Sequence, residues 1–173
     1  MCGITGFVGG GNEGDIVRMK EALVHRGPDD RGAYCAGGVG LGFARLAIID
    51  LTASGHQPMW NAARTVGIVF NGEIYNFLKL KKTLVESGYR FVSNSDTEVI
   101  LALYEQSGEQ CFAQLEGMFA IALYDKVKRK LLLARDRMGK KPLYFGSWNG
   151  TFVFGSEPKA LLLHPLVKKE VNV

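Results

Sequence analysis

The chain is expected to be a single α+β domain over residues 1–173, with sheets packed between helices. Three observations predict this. Short apolar runs bounded by glycine, at 3–8 and 39–50, read as buried strands. Two helix-period segments follow one another in mid-chain, at 76–87 and 95–104. Four β-rich runs then succeed one another from 117 to 154 with no helix between them, which excludes a regular βαβ repeat.

In chain order, 3–8 is a short buried strand and 9–14 a glycine-rich loop. Residues 15–25 have Ile16, Met19 and Leu23 on one helical face. Arg26-Gly27-Pro28-Asp29-Asp30 breaks that helix, because Pro lacks an N–H and Gly favours turns. Residues 34–35 and 39–50 look extended, and 52–64 is loop-like around Gly55 and Pro58. A β-rich run at 65–70 ends at Asn71-Gly72. The helix at 76–87 aligns Phe77, Leu80 and Leu84 and stops at Gly88. Ser95-Asp96-Thr97-Glu98 has the spacing of a capping box and opens the next helix. Strands are expected at 117–124, 130–135, 143–145 and 151–154, and a last short helix at 158–163.

Composition narrows the function. A hydrophobic content of 47%, 22% charged residues and a net charge of +4 are ordinary for a globular protein. The basic clusters Lys79, Lys81, Lys82 and Lys126, Lys128, Arg129, Lys130 adjoin surface helices or turns, so they read as solvated faces and no nucleic-acid partner is expected. Three dispersed cysteines, Cys2, Cys35 and Cys111, fit a reducing compartment better than a disulfide framework. No signal-peptide pattern or run of about 18 apolar residues is present. Cytoplasm is the expected location, with no membrane partner. No CxxC or HxxxH pair suggests a metal site, so none is expected.

Gly9-x-Gly11-x-x-Gly14 matches a dinucleotide fingerprint but lacks the second parallel strand ending in an acid, so the match carries no weight. The three histidines, His25, His56 and His164, form no convincing set with a cysteine.

Cys2 is different. Taken alone, a cysteine in second place is compatible with an accident of an untethered terminus. Initiator methionine, however, is commonly removed before a small residue. Cys2 would then carry a thiol and a free α-amine of pKa about 7.7–8.0, a nucleophile and a base on one residue. Asn71-Gly72 reads either as a hairpin turn or as two donors, an amide and a glycine N–H, suited to an oxyanion. Arg45 interrupts an apolar strand. It is either an edge charge or a two-pronged carboxylate ligand. Asp96 is either a first-turn acid favoured by the helix dipole or an acceptor for an ammonium group.

With these residues in view, the chain resembles the glutaminase domain of class II glutamine amidotransferases, of the N-terminal nucleophile hydrolase superfamily. Its nearest likeness is to the asparagine synthetase (glutamine-hydrolysing) branch. The resemblance runs from Cys2 to about Pro165. Its blocks are Met1-Cys2-Gly3-Ile4-Thr5-Gly6, His25-Arg26-Gly27-Pro28-Asp29-Asp30-Arg31-Gly32 and Arg45-Leu46-Ala47-Ile48-Ile49-Asp50. Phe70-Asn71-Gly72-Glu73-Ile74-Tyr75-Asn76, Ser95-Asp96-Thr97-Glu98, Gly117-Met118-Phe119-Ala120 and the run from Arg135 to Tyr144 complete the set.

The resemblance implies a four-layer αββα sandwich and hydrolysis of L-glutamine to L-glutamate and ammonia. It implies Cys2 as nucleophile and Asn71 and Gly72 as the oxyanion hole. Arg45 would bind the α-carboxylate and Asp96 the α-ammonium, with Leu46, Ala47, Ile48, Ile49 and Glu73 lining the glutamine pocket. No cofactor is implied for this domain. ATP and Mg are expected only in the family's synthetase domain, whose SGGxDS loop this chain lacks. The implied partner is a synthetase domain or subunit that receives the ammonia; homo-oligomerisation stays open. Two other readings remain at this point. One is a glutaminase serving a sugar or peptide carboxylate acceptor, and the other a non-catalytic regulatory or interaction domain on the same fold.

Overall fold

A computed structural model describes residues 1–169 as two antiparallel sheets between two helical layers. The five-stranded sheet has the order β2 (Asp30–Ala36), β3 (Val39–Arg45), β1 (Gly3–Val8), β9 (Thr151–Gly155), β8 (Tyr144–Trp148). The four-stranded sheet has the order β4 (Met59–Trp60), β5 (Val66–Ile74), β6 (Gly117–Asp125), β7 (Lys130–Arg135). Helices α1 (Glu13–Glu21) and α4 (Pro158–Leu161) pack on the first sheet. Helix α3 (Asp96–Ser107) covers the second, with α2 (Phe77–Glu86) against it. The four expected layers are therefore the observed ones.

Strand alternation builds these layers. Side chains on a strand point to opposite faces in turn. Along β6, Phe119, Ile121 and Leu123 join the core under α2 and α3, while Ala120, Ala122 and Tyr124 face the other sheet. Along β5, Ile68 and Phe70 face α3, and Val69 faces the other sheet. The inter-sheet core then includes Ile4, Leu41, Phe43, Val69 and Phe154, all nearly inaccessible to solvent. Removing each such side chain from water stabilises the fold by about 1.5–3 kcal/mol.

Several boundaries differ from expectation. Helix α1 starts at Glu13 rather than 15, because Asn12 caps it: the Asn12 side chain accepts from the Asp15 amide and Asp15 accepts from the Asn12 amide. It ends at Glu21, and Val24–Arg26 form a separate 3-10 turn. Strand β3 stops at Arg45, since 46–52 turns away to be held by side chains. Strand β5 continues through Asn71-Gly72 to Ile74, so this Asn-Gly is not a turn. It lies paired with Ala120 and Phe119 of β6. Finally, Ser95 caps α3 through the Thr97 amide, but Glu98 does not close a capping box. Its carboxylate instead accepts from the amides of Val92 and Ser93 and from the Ser93 hydroxyl.

Candidate active site

The site lies where the two sheets meet α3. Strand β1 is central in its sheet, paired with β3 and β9, and this places Cys2 at the end of the inter-sheet core. The half-buried Cys2 Sγ contacts the Leu46 backbone on both sides, 3.4 Å from its carbonyl oxygen and 3.3 Å from its amide nitrogen. Burial pushes the thiol up. The Leu46 amide and the positive charges of the chain terminus, Arg45 and Lys141 oppose that rise. A second tether holds the residue's backbone: Arg26 Nε donates to the Cys2 carbonyl at 2.9 Å, and Arg26 Nη1 reaches Glu157 at 2.8 Å. Burial raises Glu157, yet hydrogen bonds from Arg26, His25 and Lys159 outweigh it and bring its carboxyl down to about 2.

A cleft of about 40 Å³ opens beside the thiol. Cys2, Arg45, Ile48, Ile49, Gly72, Glu73 and Asp96 all line it, although they come from four separate stretches of sequence. The Arg45 guanidinium is buried and donates to the carbonyls of Asp50 and Thr52. A Cβ at Gly55 would meet that guanidinium, which would have to shift. Asp50 in turn accepts from Thr52 and from the Asn94 amide, which ties the loop to the start of α3. Three predicted residues do not line the cleft. Leu46 meets Cys2 through its backbone, Ala47 donates its amide to Asp29 at 2.8 Å, and Asn71 is buried beneath.

Asn71 and Gly72 present two free donors by different routes. Alternation puts Asn71 on the Val69 face of β5, toward the inter-sheet core against which Cys2 packs. Its Nδ2 is buried with no hydrogen-bond partner among the described residues. Such an orphan is rare and costly, and Arg26 Nη2 and His164 Nε2 share that state among the described residues. Gly72 is opposite Phe119, but Phe119 gives its carbonyl to the Asp136 amide and its N–H to the Asp136 carboxylate. The Gly72–Phe119 pair is therefore a non-hydrogen-bonded one, and the Gly72 N–H points away from β6 along the open edge of β5. A Cβ on Gly72 would collide with the Met118 carbonyl.

Asp96 sits in the first turn of α3, buried, with Oδ2 accepting from the Ile74 amide at 3.0 Å. No cation pairs with it among the described residues. Burial raises its carboxyl to about 6, against backbone amides that lower it, and the nearby Glu73 charge adds to the rise. An acid so placed gains from a cationic ligand. Gln57, Ser95 and Thr97 also line the cleft and were not foreseen. Ser95 and Thr97 stand in the Ser95-Asp96-Thr97-Glu98 block, which marked a helix start rather than a cleft wall, and no periodicity or motif marks Gln57. Among the described residues, no group of three His, Cys, Asp or Glu side chains could hold a metal ion, and no helix is long and apolar enough to cross a membrane.

Comparison with known proteins agrees with this geometry. A family model described as a glutamine amidotransferase domain matches residues 1–173. Asparagine synthetase [glutamine-hydrolyzing] 3 of Bacillus subtilis is 40% identical over 179 residues, covering 99% of this chain and 29% of its own length. Asparagine synthetase [glutamine-hydrolyzing] 2 of Arabidopsis thaliana is 42% identical over 168 residues, covering 93% of this chain and 28% of its own length. The chain thus spans less than a third of these curated relatives. Among solved structures, the glutamine phosphoribosylpyrophosphate amidotransferase of B. subtilis superposes with a TM-score of 0.82 at 22% identity, over 94% of this chain and 43% of that one.

Proposed function

The chain belongs to the glutamine amidotransferase domain family, and on that premise we propose that it hydrolyses L-glutamine to L-glutamate and ammonia as the glutaminase half of an asparagine-synthetase-like enzyme. One observation supports this most: the buried, unpartnered Asn71 amide lies on the inter-sheet face that also packs against the Cys2 thiol.

The reaction follows from the groups present. Loss of Met1 gives Cys2 a free α-amine. That amine takes the thiol proton, directly or through a water, and the sulfur attacks the side-chain amide carbon of glutamine. The carbonyl oxygen gains negative charge and is met by Asn71 Nδ2 and the Gly72 N–H. The α-ammonium then returns the proton to the leaving nitrogen, and ammonia departs from a γ-glutamyl thioester. Water, deprotonated by the same amine, releases glutamate. Arg45 and Asp96, with Glu73 close by, bind the substrate's α-carboxylate and α-ammonium. This half-reaction runs on the chain's own groups, without a cofactor.

The ammonia goes to a synthetase domain or subunit, where ATP and Mg serve amide formation. The names and greater length of the relatives support that partner. Three free cysteines favour a cytoplasmic setting.

Glutamate release from L-glutamine tests the reading. The Met1-free chain should turn over and Cys2→Ala should not. Turnover by Cys2→Ala, or by a chain that retains Met1, contradicts the mechanism.

A further inference from the structure

The open edge of β5 next to the cleft is held in an unusual way. In an antiparallel strand, the N–H groups of every second residue share one edge. Phe70, Gly72 and Ile74 therefore present their amides on the same side, away from β6. Strand β4 does not reach them: its pairing with β5 covers only Gly67 and Ile68. Side chains do the work of the missing strand. Gln57 Oε1 accepts from Phe70 N–H at 2.7 Å, and Asp96 Oδ2 accepts from Ile74 N–H at 3.0 Å. Gly72 lies between these two clamps.

Gln57 is buried, and it also donates through Nε2 to Thr97 Oγ1 at 3.2 Å. Its carboxamide thus ties β5 to the residue that follows Asp96 on α3. Asp96 acts on the substrate and on Ile74 at once, so it cannot isolate the clamping role. Gln57 serves better: although it lines the cleft, its Oε1 is taken by Phe70 and one Nε2 hydrogen by Thr97.

We infer that Gln57 is a positioning residue that fixes the free edge of β5, so that the Gly72 N–H faces the oxygen of the tetrahedral intermediate. The inference rests on the glutaminase reading above. It assigns Gln57 no contact with substrate: its effect passes through Phe70 to the neighbouring Gly72.

Two reactions of the same sulfur separate this role from general support of the fold. Hydrolysis of glutamine builds an oxyanion. Alkylation of Cys2 by iodoacetamide displaces iodide from carbon and builds none. In Gln57→Met, kcat for glutamine should fall between about 10- and 100-fold, with KM and the Cys2 alkylation rate within about twofold of the parent. Gln57→Glu keeps an acceptor for Phe70 and should restore most of kcat. An unchanged kcat in Gln57→Met, or an equal fall in alkylation rate, overturns the inference. Should Gln57→Met not fold, Thr97→Val decides: it loosens only the far end of the clamp and should lower kcat a few-fold with alkylation unaffected, and an unchanged kcat rejects the role. If the parent chain alkylates at Cys2 yet never hydrolyses glutamine, it is the glutaminase reading that fails.

Discussion

Two aspartates open helices in this molecule, and only one has all its chemistry spent on the fold. Asp15 in the first turn of α1 accepts from the Asn12 amide at 2.8 Å through Oδ2, while its Oδ1 pairs with Arg18. Asp96 in the first turn of α3 is nearly as buried, accepts from backbone amides, and faces the cleft with no cation paired to it among the described residues. Asp15 stabilises a helix end. Asp96 keeps a charge that burial makes costly and that a ligand's ammonium would offset. A first-turn acid is therefore not informative by position; what matters is whether its oxygens are already satisfied.

The largest expected effect separates the two directly. Asp96→Asn should lower kcat/KM for glutamine by about 10²–10³, the scale of an unpaired charge in a binding site. Asp15→Asn should leave kcat/KM unchanged. If Asp96→Asn alters only the melting temperature, Asp96 is a second Asp15.

Acidity offers the next test. Glutamine's ammonium pairs with the ionised acid, so KM should fall as pH rises through about 6, the value to which burial raises Asp96. Stability should move the other way. A carboxyl raised from 3.8 to about 6 binds its proton more tightly in the folded state. Its stabilising contribution is complete below about 3.8 and is lost as pH rises through 6. Asp96→Asn should remove both slopes, as read by KM and by denaturant unfolding across pH 4–7.

A smaller effect belongs to α1. Asn12→Ala removes one side of the capping box and should cost about 1 kcal/mol in unfolding free energy with normal kinetics. The smallest concerns the thiol. Lys141 opposes the burial that raises Cys2. Lys141→Met should shift the pH midpoint of Cys2 alkylation upward, and Lys141→Arg should not.

Much of this was legible in the sequence because it is local. The β-rich run at 117–124 and the helical face of Phe77, Leu80 and Leu84 need no knowledge of distant residues. The family blocks pointed to Cys2, Arg45, Asn71, Gly72 and Asp96, which the fold gathers at one end of the sheets. What escaped depends on tertiary contacts that local patterns do not report, most of them far apart in the chain. Glu98 has capping-box spacing but is claimed by Ser93 and Val92. Asn71-Gly72 has turn chemistry but is held in a strand by β6. Gln57 clamps an edge that exists only once β4 falls short and α3 has docked. Asp50 likewise joins the Arg45 loop to Asn94, across 44 residues of sequence.

The central claim is that Cys2 is the nucleophile of a glutamine site, and an electrophilic glutamine analogue carrying a γ-chloroketone tests it most directly. Labelling followed by peptide mapping should place one adduct on Cys2, suppressed by L-glutamine and by Asp96→Asn, with Cys35 and Cys111 unmodified. An adduct on Cys35 or Cys111, or labelling of Cys2 that L-glutamine does not slow, would contradict the account.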